Sequence, residues 1–213
     1  RIKNNVESIL SDINNQMSTY QLDSEISEFN FADSENKLKG INISDYFLEV
    51  IDRSFYYYNL SDGMFDITIY PLYDLWGFQN KTLSTSEPSK SEIDQALSLI
   101  GMDKLRIEND KLSAQFHSVS IDVSALAKGY TVDIISDYLQ NQGYTDYFIE
   151  IGGEIRVAST KGNSWPIGIQ EPDLDKIGKV NVLVKLSNKS IATSGNYANF
   201  IEYLNSNLSR THI

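Results

Sequence analysis

From residue 146 to 187 the chain reads as one strand after another with only turns between them. "DYFIEI", "EIRVAST", "WPIGIQ" and "VNVLVKLS" are apolar or alternating runs, separated by Gly152–Gly153, "KGNS" and "EPDLDKIG". Connections this short join antiparallel neighbours, because a parallel return needs a crossover of a dozen residues or more. Earlier in the chain the period changes. Val6, Ile9, Leu10, Ile13 and Met17 share one face of a helix over residues 3–18. A second helix follows Ser44 with Phe47, Val50, Ile51, Phe55 and Tyr58 on its stripe, and a third carries Ile93, Ala96, Leu97 and Ile100. "KLRIENDKLSAQF" predicts a hairpin turned at Asn109–Asp110, and "GMFDITIYPLYDLWGF" a short strand leading into an aromatic turn. Residues 79–92 read as a polar loop or insertion. Runs of strands punctuated by single helices predict an α+β fold with mixed or largely antiparallel sheets and packed helices.

At 213 residues and 41% hydrophobic content the chain can bury one sizeable core or form two small, intimately packed domains. Its net charge of −11 argues against a general nucleic-acid surface, which draws its affinity from many Lys and Arg contacts to phosphate. No apolar run reaches the roughly 20 residues that span a bilayer. The absence of cysteine removes disulfides, thiolate metal sites and a Cys nucleophile. The chain opens on Arg1 and closes on "SRTHI", which reads as a fragment at both ends.

Against that acidity, one lysine stands out. In "IDVSALAKGYTVD" an apolar strand runs into Asp122, Ser124 is placed as an N-cap, and the helix of residues 125–141 carries Lys128 and Gly129 near its start. A helix N-terminus offers unbonded N–H groups and a positive dipole end, and a lysine one turn inside adds charge for a phosphate or carboxylate. The same residues also make sense as a solvated lysine, a helix-packing glycine and a strand-end cap. The Gly152–Gly153 pair in "EIGGE" either exposes backbone N–H groups to a ligand or is a hairpin turn. Asp66, set between apolar residues, either caps backbone groups or takes part in chemistry. Trp76 and Phe78 are read as core before they are read as a stacking platform. Only two histidines occur, His117 at the end of the hairpin and His212 in "RTHI". No metal-spaced His pair, Ser/His/Asp order or P-loop can be assembled from them.

Taken in order, the blocks "MSTYQLDSEISEFN", "GMFDITIYPLYDLWGF", "IDVSALAKGYTVD", "IEIGGEI", "IATSGNY" and "THI" resemble the ApbE-type FAD:protein FMN transferases over nearly the whole chain. That resemblance implies Mg²⁺-dependent transfer of FMN from FAD to a Thr or Ser hydroxyl of a target flavoprotein, with release of AMP. A FAD pyrophosphatase and a FAD-holding module share the same blocks. The resemblance further implies that FAD is bound by Met17, Met64, Phe65, Asp66, Asp122, Lys128, Ser194 and Gly195. It makes Ala125 a cation ligand through its backbone oxygen and His212 the base for the acceptor hydroxyl. It implies, finally, an exported protein at the periplasmic or extracytoplasmic face, held to a membrane only by an N-terminal lipid anchor upstream of Arg1. Two departures from the family pattern are visible. Asn196 stands where the family carries an aspartate, and the family's C-terminal acidic residue and threonine lie beyond Ile213.

Overall fold

The computed structural model describes residues 1–78, 87–176, 178–196, 200–202 and 209–211. They fall into two compact units, one built on Arg1–Ala127 and the other on Lys128–Glu202 with the strand Ser209–Thr211.

The first unit holds helices α1 (Ile2–Met17), α2 (Glu25–Phe31), α3 (Ser34–Lys39), α4 (Asp45–Leu60), α5 (Tyr70–Leu75) and α6 (Lys90–Leu99). Its strands are β1 (Ile41–Asn42), β2 (Leu105–Glu108) and β3 (Lys111–Ala114), paired antiparallel in the order β1-β3-β2. The predicted hairpin is present: Asn109 and Asp110 both take positive φ, +51° and +59°, as a two-residue turn requires. The predicted stripe of α4 buries Phe47, Val50 and Ile51, and α1 buries Ile13 and Met17 where it packs on α2 and α4.

Two short helices go unread in the sequence because a run of six or seven residues is too short to show a period. They exist by virtue of their caps. Ser24 accepts the Ser27 N–H at 3.2 Å to start α2, and Asp33 accepts the Asn36 N–H at 2.8 Å to start α3. The short strand expected in "GMFDITIYPLYDLWGF" is instead a turn, a 3₁₀ segment at Ile67–Ile69, and α5 with Pro71 in its first turn. Proline lacks the N–H a ladder would need and its fixed φ suits a helix start.

The second unit contains helix α7 (Ser124–Asn141) from Lys128 onward. Its strands are β4 (Tyr147–Ile151), β5 (Glu154–Ala158), β6 (Trp165–Gln170), β7 (Val180–Leu186), β8 (Lys189–Ile191), β9 (Phe200–Glu202) and β10 (Ser209–Thr211). Every described pairing is antiparallel: β4-β5-β8, β6-β7 and β9-β10. Ile155 and Val157 of β5 share a core with Ile167 of β6 and Leu186 of β7. The α+β expectation is met. Helix α7 is tied to β4 by Ser136 Oγ and Tyr147 OH, 2.6 Å apart, with Gln140 Nε2 donating to the same phenol at 2.7 Å. No helix among the described residues is long and apolar enough to cross a membrane.

Candidate functional site

After a turn at Phe116–Val119, closed by the Val119 N–H on the Phe116 carbonyl at 3.2 Å, residues 119–123 run without a strand partner among the described residues, where the sequence predicted a strand. Val119, Ile121 and Val123 are buried in the alternation of a strand, yet side chains satisfy one edge of its backbone. Asn30 donates to the Ile121 carbonyl at 2.9 Å and accepts the Ile121 N–H at 2.8 Å. Lys37 Nζ donates to the carbonyls of His117 and Val119 at 2.8 and 2.9 Å, and to that of Asn30 at 3.0 Å. From the other edge Asp122 gives its N–H to the carbonyl of Ile67 at 2.8 Å. A buried backbone must find such partners somewhere. Lys37 is fully buried, and its ammonium lies 5.0 Å from the centre of the Phe29 ring.

The bond from Asp122 to Ile67 joins two of the sequence blocks within the first unit. Asp66, one residue earlier, accepts the Thr68 N–H at 2.7 Å and the Thr68 hydroxyl at 2.5 Å, so it is a cap, the first of the two roles considered for it. Thr68 Oγ1 in turn accepts the Gly101 N–H at 2.6 Å. Met64 is almost fully exposed at 89%, while Phe65 is half-buried and donates its N–H to Ser61 Oγ at 2.9 Å. Burial, then the charges of Asp74 and Asp122, push the Tyr70 phenol above its ordinary value. Asp122 thus acts on the Tyr70 phenol, an influence that "ITIYPLYD" did not reveal.

Helix α7 starts one residue earlier than expected. Ser124 is its first helical residue, the carbonyl of Val123 accepts the N–H groups of Leu126 and Ala127, and Asp122 Oδ1 takes the Ser124 N–H at 2.7 Å. The capping carboxylate thus belongs to Asp122 in place of the predicted Ser124 hydroxyl. Ala125 lies exposed in the first turn.

In the second unit Lys128 is ion-paired. Its Nζ lies 3.0 Å from Glu154 Oε1, with the lysine side chain 48% exposed and the glutamate 15%. Glu154 Oε2 is buried with no hydrogen-bond partner among the described residues. Gly152 and Gly153 turn the β4-β5 hairpin at φ +57° and +97°, so the turn reading of the pair is correct. The turn also packs closely. A Cβ on Gly152 would lie 3.3 Å from Lys128 Cδ, and one on Gly153 would lie 3.1 Å from Thr193 Oγ1. Ser194 and Gly195 follow Thr193 as exposed, irregular chain. Glycine here keeps backbone, lysine and the Thr193–Gly195 loop close together, and an orphaned carboxylate oxygen beside them fits a ligand that brings a donor.

Of the remaining predicted residues, Met17 ends α1 in the core of the first unit, 5% exposed, and contributes packing there. His212 lies outside the described residues. No group of three or more His, Cys, Asp or Glu side chains that could hold a metal ion occurs among the described residues.

A model of the ApbE family matches residues 2–213. The FAD:protein FMN transferase of Vibrio cholerae is 35% identical over 203 residues, covering 94% of this chain and 60% of that protein. That of Escherichia coli K12 is 28% identical over 207 residues, covering 94% and 58%. Among solved structures, the flavin transferase ApbE from Vibrio cholerae superposes with a TM-score of 0.79 at 34% identity, over 95% of this chain and 65% of that one. The Pseudomonas stutzeri flavinyl transferase ApbE gives 0.78 at 31%, over 93% and 61%. The chain spans less than two thirds of the length of these relatives.

Proposed function

Because the chain belongs to the ApbE family, we propose that it is the greater part of an enzyme moving FMN from FAD to a Thr or Ser hydroxyl of a target flavoprotein. The observation that carries this reading is the Asp122–Ile67 backbone bond, which brings the Met64–Asp66 turn to the head of α7. Two blocks that the resemblance gives to the flavin are thereby joined within the first unit. In the second unit the glycine turn, Lys128 and the start of the Thr193–Gly195 loop meet as a second cluster.

In the proposed reaction the acceptor hydroxyl oxygen bonds to the FMN-side phosphorus of FAD. The bond from that phosphorus to the bridging oxygen breaks, AMP leaves with the oxygen, and His212 takes the hydroxyl proton. A displacement of this kind depends on positioning and charge neutralisation more than on covalent catalysis by the protein. Lys128 supplies positive charge beside a turn with close backbone approach. The Asp122 carboxylate is committed to the Ser124 N–H, so its contribution is to hold the first turn of α7 in place. Mg²⁺ would supply further charge neutralisation when bound with phosphate oxygens as its main ligands. Export and an N-terminal lipid anchor belong to the same proposal.

Incubation with FAD, Mg²⁺ and a Thr-containing acceptor peptide tests the reading by mass spectrometry. Gain of one FMN on the peptide supports it. Free FMN and AMP without that gain would make the protein a pyrophosphatase, and intact bound FAD alone a holding module.

A further inference from the structure

Lys37 is the one charged residue fully buried among the described residues, and it has no part in the transfer proposed above. It stands on α3, a six-residue helix started by Asp33. From there it reaches the last turn of α2 through the Asn30 carbonyl and crosses to the carbonyls of His117 and Val119. No carboxylate pairs with it among the described residues. An ammonium has three donors and no acceptor, and here all three are met by backbone oxygens.

Asn30, whose own carbonyl Lys37 holds, grips both backbone groups of Ile121. Positions 119 and 121 of an extended chain point their backbone groups to one edge, so the two side chains stand where a neighbouring strand would, while the Lys37 bond to His117 holds the turn that leads into the segment. The next residue is Asp122, bonded to Ile67 and to the Ser124 N–H.

We propose that Lys37, acting with Asn30, is a positioning residue for the flavin site, fixing the extended segment that delivers Asp122 and the first turn of α7. A sheet edge would tolerate register slips of its strand; an ammonium aimed at two alternate carbonyls, beside an amide clamped on the next alternate residue, allows one register only. The inference rests on the FAD reading above for its functional consequence and on backbone protection for its structural one.

The test compares Lys37→Met with Val50→Ala, which removes volume from α4 in the same unit, at temperatures where both are equally folded. Lys37→Met is expected to weaken FAD binding about tenfold, the cost typical of losing a residue that supports a binding group. It is also expected to speed amide hydrogen exchange at Ile121, Asp122 and Ser124 ahead of the amides of α4. Val50→Ala should leave FAD affinity within twofold of the wild type and show no such local pattern. Equal FAD affinities in the two variants, or exchange rising uniformly through the unit, overturns the proposal. If Lys37→Met fails to fold, Asn30→Ala is read by the same two measurements. A wild-type protein that binds no FAD would defeat the functional reading, while the exchange pattern would still decide the role of Lys37.

Discussion

Asn30 and Ile121, 91 positions apart, form a closed two-bond pair in which one side-chain amide replaces a strand. The Ile121 side chain is fully buried and Asn30 nearly so, which leaves no water to substitute for either bond. Asn30→Ala strands a buried N–H and a buried carbonyl, each costing about 1–3 kcal/mol. Urea unfolding should therefore show a loss of about 2–6 kcal/mol; a loss near zero would mean that the segment finds other partners.

Lys37 makes a prediction about pH. Burial lowers its pKa from 10.5 to about 8, while the three carbonyls oppose the shift because only the ammonium can donate to all of them. With the folded value below the unfolded one, the unfolded state holds more protons between about pH 8 and 10.5, so stability rises with pH across that window. Below pH 8 the buried charge costs about 3 kcal/mol relative to the neutral amine. The difference in unfolding free energy between the wild type and Lys37→Met should climb through this window. A flat difference would show that the carbonyls cancel the effect of burial.

Asp146 accepts the hydroxyls of Ser159 and Thr160 at 2.8 and 2.9 Å, and these bonds hold its carboxyl below the ordinary 3.8. A depressed carboxyl stabilises the fold above its unfolded value, and that contribution is lost as pH falls through its folded value. Asp146→Asn should flatten the acid limb of the second unit's unfolding curve below about pH 4. An unchanged acid limb in the variant would sink this assignment.

The Lys128–Glu154 pair separates stability from binding. One partner is half-exposed, so the pair is worth at most about 1 kcal/mol to the fold. Lys128→Met combined with Glu154→Gln should leave the melting temperature within a few degrees while weakening FAD binding about tenfold, as read by flavin fluorescence. Unaltered affinity would remove Lys128 from the ligand site.

Gly153 at φ +97° with Thr193 Oγ1 close by gives a further check. Gly153→Ala should cost about 1–2 kcal/mol through a backbone conformation that L residues avoid. A neutral substitution would show that the turn relaxes freely.

Period and turn chemistry made much of this architecture legible. The stripe of α4, the Asn109–Asp110 turn and the strand run from Tyr147 onward follow from spacing alone. What stayed hidden depended on partners distant in sequence. Nothing in "SENKLKG" marks Lys37 as buried, because two of its three acceptors lie 80 and 82 residues away. The start of "GMFDITIYPLYDLWGF" looked like a strand since Ile67 and Ile69 alternate, yet Asp66 and Pro71 closed it locally. Of the flavin residues implied by resemblance, Asp66 and Asp122 meet through Ile67, Lys128 meets the glycine turn, and Met17 turns inward to the core. Glu154 and Thr193 emerged only when the hairpin was seen against Lys128, though "EIGGE" already held the glutamate.

The most direct test of the account is acceptor-dependent covalent flavinylation, followed by intact mass on a Thr-containing peptide incubated with the protein, FAD and Mg²⁺, beside an EDTA control. The account predicts the mass of one FMN added to the peptide, with AMP released in equal amount and both abolished by EDTA. AMP appearing with free FMN and an unmodified peptide would contradict it.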